Sequence, residues 1–387
     1  DLVRSRGLGD VYKRQIIDSF SKTKVRKMKP FIRNLLRMSV YQIKYMDAVP
    51  DSAVCNEAVK LAKRHKFAQL SGFVNGVLRN IARNIDSVQF DTLSIRYSMP
   101  QWIVDRFVSA YGEKKAEEIF KAFHSKSTIS IRTNLTRCTP DELRAMLEAE
   151  GVTVTAVDEL NYAFVISGFD YLNGLQSFRD GLFYVQDISS MLVAQTAAPK
   201  KGDYVIDVCA APGGKSTHIA ELLQGSGHVL ARDLTDNKVD MIEENIERHG
   251  LNNMSAEVWD ATVFDADSAG KADILICDLP CSGLGVLGRK KDIRYKMTPE
   301  SVDELAALQR QILDTVHTYV KPNGVLVYST CTIDEAENED NVRWFIEKHP
   351  EFELDKSFAE GTGMKQILPG EHGSDGFFIA RFIKSKL

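Results

Sequence analysis

Nowhere in the 387 residues does an apolar run approach the roughly 18 needed to cross a bilayer, and the chain opens without the pattern of a secretory signal. Both absences exclude a membrane partner and point to a cytoplasmic protein. The six cysteines, at 55, 138, 209, 277, 281 and 331, lack the paired C-x-x-C spacing of a zinc site. No metal is therefore expected, and a cytosolic chain keeps such thiols reduced. The dinucleotide fingerprint G-x-G-x-x-G is missing. A phosphate loop is imitated only at its end, by Gly214-Lys215-Ser216, because the position of its first glycine is occupied by Cys209. There is no internal repeat and no low-complexity tract.

What remains is an ordinary soluble composition, 44% hydrophobic and 26% charged, on a chain long enough for two or three domains. Its net charge of -4 conceals an asymmetry. Residues 1–90 hold 18 Lys and Arg against 7 Asp and Glu, a net of +11 that leaves -15 for the rest. A basic amino-terminal part on an acidic body suits a polyanionic partner, nucleic acid first, although a solvated helical surface accounts for charge alone equally well.

Residues 1–15 show no convincing periodicity and are left unassigned outside the fold, as foreign or disordered sequence. In 16–95, helical spacing recurs at Ile32, Leu35, Leu36, Val40 and Ile43 and again at Leu70, Phe73, Val74, Val77, Leu78 and Ile81, predicting a small all-helical domain. Residues 96–183 read as a small α+β connecting module, with strands at 129–133 and 162–166 flanking a helix at 140–150. From 184 to 387 apolar runs at 204–209, 228–233, 256–260, 274–278, 325–330 and 376–382 alternate with helical patterns at 214–224, 236–249, 299–319 and 334–348. That alternation predicts an α/β domain with a doubly wound, mostly parallel, Rossmann-like sheet.

In such sheets chemistry sits at the carboxyl ends of the strands. Cys209, Ala210, Ala211, Pro212, Gly213, Gly214 and Lys215 form a strand-to-helix turn whose small residues let a ligand approach the backbone and whose helix start favours a carboxylate or other anion. Asp233 follows Gly214 by 19 residues, close to the spacing at which an acid grips ribose hydroxyls. Asp260 ends the next strand and could accept from an adenine amino group. Together they describe a nucleoside without a pyrophosphate, which fits S-adenosylmethionine better than NAD or ATP. Asp278 and Cys281 follow one strand and Cys331 another. Turning a pyrimidine C5 into a nucleophile requires a thiolate to add at C6, and a carboxyl beside the ring can support the adduct. Spacing alone does not order the two thiols. The acidic run 334–340 reads as a negatively charged first helical turn, and Lys290, Lys291 and Arg294 lie on a loop where they either touch phosphates or face solvent.

At these residues the chain resembles the RNA cytosine-5 methyltransferases, specifically the bacterial small-subunit ribosomal RNA methyltransferase B family. The resemblance runs from about residue 20 to the end. Cys209–Lys215 match the family's cofactor loop, with Asp233, Asp260 and Asp278 at its further cofactor positions. Pro280-Cys281 matches the motif of the product-releasing cysteine, Thr330-Cys331 that of the attacking cysteine, and Asp375–Phe378 the closing strand. Asn56–Val59 and Phe73–Arg79 are similar to the family's RNA-binding domain of the antitermination-factor NusB type. The resemblance implies catalytic roles for Cys331, Cys281 and Asp278, S-adenosylmethionine as methyl donor, and a cytosine of 16S ribosomal RNA as target before subunit assembly is complete, modified by a monomeric enzyme. Leu279 and Lys290–Tyr295 depart from the family's usual residues, and little family-like sequence precedes residue 20, as if the first helices of the NusB-like domain were missing. Two other readings are an RNA-binding assembly factor with a vestigial site and a P-loop ATPase.

Overall fold

The computed structural model describes residues 8–85, 92–125, 128–158 and 160–386. Two compact units divide the chain near residue 120. In the first, helices Leu8–Phe20, Pro30–Tyr45, Asp51–Arg64 and Ser71–Asn84 enclose a core that includes Ile16, Ile17, Leu36, Val40, Val74, Leu78 and Ile81. Helical periodicity specifies this packing because positions three and four apart share one face. The amino-terminal segment left outside the fold is helical from Leu8 onward. Within that helix Ile16 and Ile17 are fully buried. The first seven residues lie outside the described ones.

The second unit holds two sheets. Strands β1 (Ile129–Thr133), β2 (Thr153–Val157), β3 (Leu160–Ser167) and β4 (Phe183–Val185) form an antiparallel sheet in the order β2-β3-β1-β4. The helix Pro140–Ala149 packs on it, started by a capping box in which Thr139 and Glu142 satisfy each other's backbone N–H groups. β2 and β4 escape sequence reading: the first is largely exposed and the second is three residues long.

The larger sheet comprises β5 (Tyr204–Asp207), β6 (His228–Asp233), β7 (Met254–Val258), β8 (Ala272–Asp278), β9 (Val320–Thr330), β10 (Phe352–Leu354), β11 (Met364–Ile367) and β12 (Phe377–Lys384). Its order is β10-β12-β9-β8-β5-β6-β7, with β11 also on β12. The five strands β9, β8, β5, β6 and β7 run parallel, whereas β12 joins antiparallel. The chain winds outward from β5 through β6 to β7, then returns to β8 on the other side. The order thus reverses between β5 and β8, and at this switch point the flanking turns diverge to leave a crevice. Helices Gly214–Leu222, Asp236–His249, Pro299–Val316 and Glu339–Lys348 supply crossovers. Two apolar clusters, one containing Leu275, Leu326 and Phe345 and the other Val205, Ile274 and Ile379, cover the sheet's faces.

Candidate active site

Three of the parallel strands, β5, β6 and β8, end in a carboxylate, and Cys331 directly follows β9. β5 ends at Asp207, and the following turn folds back so that Ala210 N–H donates to the Arg232 carbonyl at 2.8 Å and Ala211 N–H to Asp233 Oδ2 at 2.9 Å. Gly213 sits at φ 101°, a backbone that side chains resist. This positive φ lets the turn reverse into the helix Gly214–Leu222, whose first N–H groups remain without intrahelical acceptors. Asp233 is buried at the end of β6, and its Oδ1 accepts from Leu234 N and Lys238 Nζ at 2.7 and 2.8 Å. Asp260 lies two residues beyond β7 and is exposed, with Oδ1 accepting from Thr262 N and Oγ1 at 2.8 and 2.7 Å. Those two hydrogen bonds hold its carboxyl below the usual range.

The loop is joined to β8 by one ion pair, Lys215 Nζ donating to Asp278 Oδ2 at 2.6 Å; Ser329 Oγ donates to Asp278 Oδ1 at 2.7 Å. Burial opposes the charge on Lys215, but Asp278, with Asp207 and Cys331 adding to it, holds the ammonium above its ordinary pKa. Cys281 and Cys331 meet, with their sulfurs 3.2 Å apart. The hydrogen bond shared with Cys281 lowers the pKa of Cys331, and Lys215 and Lys290 add to the effect against burial and Asp278. The same hydrogen bond, burial and the nearby Glu337 raise Cys281 well above its ordinary value. The other four thiols are raised chiefly by burial, so Cys331 is the one cysteine displaced towards its thiolate.

Two groups that sequence reading did not single out hold this geometry. Glu337 is fully buried and lies before the helix rather than in its first turn, since that helix begins only at Glu339. Its carboxylate accepts from Ser282 N at 2.8 Å, from the Ser282 hydroxyl and from Gln309 Nε2 at 2.9 Å. The Cys281 loop is thereby tied to the Cys331 segment. Nothing in an acidic run separates one internal acceptor from its solvated neighbours. Arg132, fully buried on β1, donates to the Gly214 carbonyl and to Glu221 Oε1, each at 2.8 Å. It links the small sheet to the helix Gly214–Leu222, and an arginine within a short apolar strand was its only trace in the sequence. Arg294 is buried and donates to the carbonyl of Lys291 at 3.1 Å, whereas Lys290 and Lys291 are exposed. Arg294 thus braces its loop.

Residues 194–383 match the family model described as 16S rRNA methyltransferase RsmB/F, residues 13–83 that of the NusB family, and residues 99–169 that of the RsmF/B-like ferredoxin-like domain. A probable ribosomal RNA small subunit methyltransferase B of Bacillus subtilis is 38% identical over 93% of this chain and 84% of its own length. The chain belongs to the RsmB/F family. It is an RNA methyltransferase by that membership. A Synechocystis RsmB relative, also described as probable, is 32% identical over 96% of this chain and 87% of its own. Among solved structures, NSun6 from Pyrococcus horikoshii with SFG is similar with TM-score 0.68 and 25% identity, covering 74% of this chain and 99% of that one. The family matches follow the two sheets: the ferredoxin-like match contains β1–β3, and the methyltransferase match runs from before β5 into the end of β12.

Proposed function

We propose that this chain transfers a methyl group from S-adenosylmethionine to C5 of a cytosine in 16S ribosomal RNA, through a covalent bond between Cys331 and C6. The observation that carries the reading is the pair of thiols at 3.2 Å with opposed acidities. S-adenosylmethionine supplies an electrophilic methyl group. The donor set suits it: free N–H groups at a helix start for its carboxylate, and Asp233 at a strand end for ribose hydroxyls. Asp260 follows β7, which pairs in parallel with β6, and so stands at the same end of the sheet as Asp233, with one oxygen already committed to its turn.

Cys331 as thiolate adds to C6, and Asp278 supports the ring through N3 and the exocyclic amine. The electron density moved to C5 takes the methyl group as the methyl–sulfonium bond breaks, with S-adenosylhomocysteine leaving as the neutral thioether. A base, here solvent, then takes the C5 proton, the freed pair restores the C5–C6 double bond, and the Cys331–C6 bond breaks as the thiolate leaves. Cys281, held protonated beside it, assists that departure. Lys215, bonded to Asp278, couples the cofactor loop to the base pocket. The base leaves its stack to enter, at a cost of a few kcal/mol that single-stranded or distorted RNA reduces. That requirement favours 16S RNA before assembly is complete, acted on by a cytoplasmic monomer. In this division residues 16–95 capture RNA, 96–183 connect and 184–387 carry out the chemistry.

The test is to incubate Cys281→Ala with unmethylated ribosomal RNA and labelled S-adenosylmethionine. A denaturation-resistant protein–RNA adduct is expected, and it should vanish when Cys331→Ala is added to the same chain. Full turnover by Cys331→Ala would overturn the covalent scheme.

A further inference from the structure

Far from the thiols, the catalytic unit gathers a second set of polar side chains that the proposed reaction does not use. Asp314 lies near the end of the helix Pro299–Val316, and His317 follows it by three residues, so one helical face carries both. His349 ends the helix Glu339–Lys348. One ligand atom from each of the three lies within 4.8 Å of the others. His317 precedes β9 by three residues whereas Cys331 follows its end, and the pairing of Val320–Ser329 along Ala272–Asp278 puts roughly 20 Å between the two ends of the strand.

We propose that Asp314, His317 and His349 bind one divalent transition-metal ion of the zinc class, as a structural clamp between the two helix ends. His349 is buried, and its Nε2 makes no hydrogen bond although it lies 3.2 Å from Asp314 Oδ1. Two ligands about 2.0–2.1 Å from a tetrahedral zinc stand about 3.3 Å apart, so this separation suits a shared ion. Asp314 Oδ2 pairs with Lys348 Nζ at 2.8 Å, leaving Oδ1 as the oxygen that faces the imidazole. The rings cannot easily turn away. His317 and His349 have centroids 3.9 Å apart, and His349 packs on Phe345 at 4.9 Å and Trp344 at 6.0 Å.

Glu351 Oε1 lies 3.9 Å from His349 Nδ1 and 3.7 Å from His317 Nε2. It is placed as the outer carboxylate that orients a ligating imidazole. A plain imidazolium–carboxylate pair is the competing explanation. Burial foremost, then the neighbouring His317, holds His349 below its ordinary pKa despite Glu351 and Asp314. Burial likewise lowers His317, with Glu351 opposing and Lys384 adding. Burial thus disfavours an imidazolium at both positions, against an ion pair as the reason the three side chains meet. The spacing D-x-x-H followed by a distant histidine carries no C-x-x-C signal, so a sequence scan for paired cysteines passes over it.

The experiment is calorimetric titration of the chelator-stripped full chain with zinc chloride under a phosphine reductant. It is run beside His317→Ala/His349→Gln, whose folding is checked by circular dichroism and methyl transfer. Wild type should take up one more equivalent of zinc than the double variant, because zinc held by the thiols is common to both. Glu351→Gln should weaken that equivalent about 10–100-fold. Equal stoichiometry and affinity in wild type and double variant would overturn the proposal. Cobalt(II) titration of the wild type decides the matter should the double variant misfold: d–d bands without thiolate charge transfer support the site, and thiolate bands alone sink it.

Discussion

A thiol in a protein interior normally resists ionisation because burial disfavours its anion, and Cys209 and Cys277 behave so, each raised chiefly by desolvation. Cys331 departs because it shares a hydrogen bond with Cys281 and Lys215 stands near, while Glu337 weighs on Cys281. The residues that order the pair come from the helix Gly214–Leu222 and from the turn before another helix, separated from the thiols by up to 116 positions or as few as six. Local spacing therefore exposed two cysteines at strand ends but not which one is the more acidic. A second buried acid makes a pH prediction. Burial raises Asp207 to about 7, against the hydrogen bond from Ser216 and with Asp278 adding to the rise. A carboxyl whose folded pKa exceeds its unfolded one binds more protons when folded. Its contribution is complete below the unfolded value, near 4, and declines as pH rises through about 7. Asp207→Asn imitates the protonated form at every pH. Thermal melts from pH 5 to 8 should show wild type losing stability relative to the variant, by an amount on the order of a few kcal/mol. Parallel pH profiles for the two proteins would refute the assignment.

Strands and crossovers were the most legible elements, since buried parallel strands read as short apolar runs between helical patterns. The runs at 204–209, 228–233, 274–278 and 325–330 coincide with β5, β6, β8 and the latter part of β9. Less legible was whatever depends on two distant backbones meeting. Gly285 is the clearest instance: its N–H donates to the Cys331 carbonyl at 3.1 Å, and its own carbonyl accepts from Gly376 N at 2.9 Å. A Cβ there would stand 2.3 Å from the Gly376 carbonyl oxygen and 2.8 Å from that of Cys331. Its φ is not left-handed, so the requirement is for space alone. Glycine at 285 is what allows the Cys281 loop to lie against the end of β9 and the start of β12. In Gly285→Ala one backbone must move, at about 1–3 kcal/mol by analogy with overpacked cores. Because the displaced loop bears Cys281, methyl transfer should fall more than the melting temperature suggests, while S-adenosylmethionine affinity stays near wild type. An alanine variant with unaltered turnover would show that the contact does not set the thiol geometry.

At the scale of the molecule the sequence announces a division of charge, and the structure shows how one basic stretch is displayed. In residues 22–29 Val25 and Met28 are buried anchors, whereas Lys22, Lys24, Arg26, Lys27 and Lys29 are exposed. Asp18 Oδ1 accepts from Val25 N at 2.6 Å and fixes the turn on the first helix. Composition alone left a solvated surface and an anion-binding surface equally open. Five cations on a pinned turn favour the latter, because a held array can release several counterions on meeting a polyanion. If 16S RNA is the partner proposed above, affinity should fall steeply with salt, with a log–log slope of about -0.7 for each phosphate contacted on single-stranded RNA. Replacing Lys22, Lys24 and Lys27 by Gln should flatten that slope by about 2 and weaken binding across RNA sequences alike. Fluorescence anisotropy with a ribosomal RNA fragment between about 50 and 200 mM salt measures both effects, the range over which phosphate contacts dominate. Turnover at saturating RNA should survive, since none of the three residues belongs to the thiol site. An unchanged slope would return these lysines to the role of solvated surface and move RNA capture elsewhere on the chain.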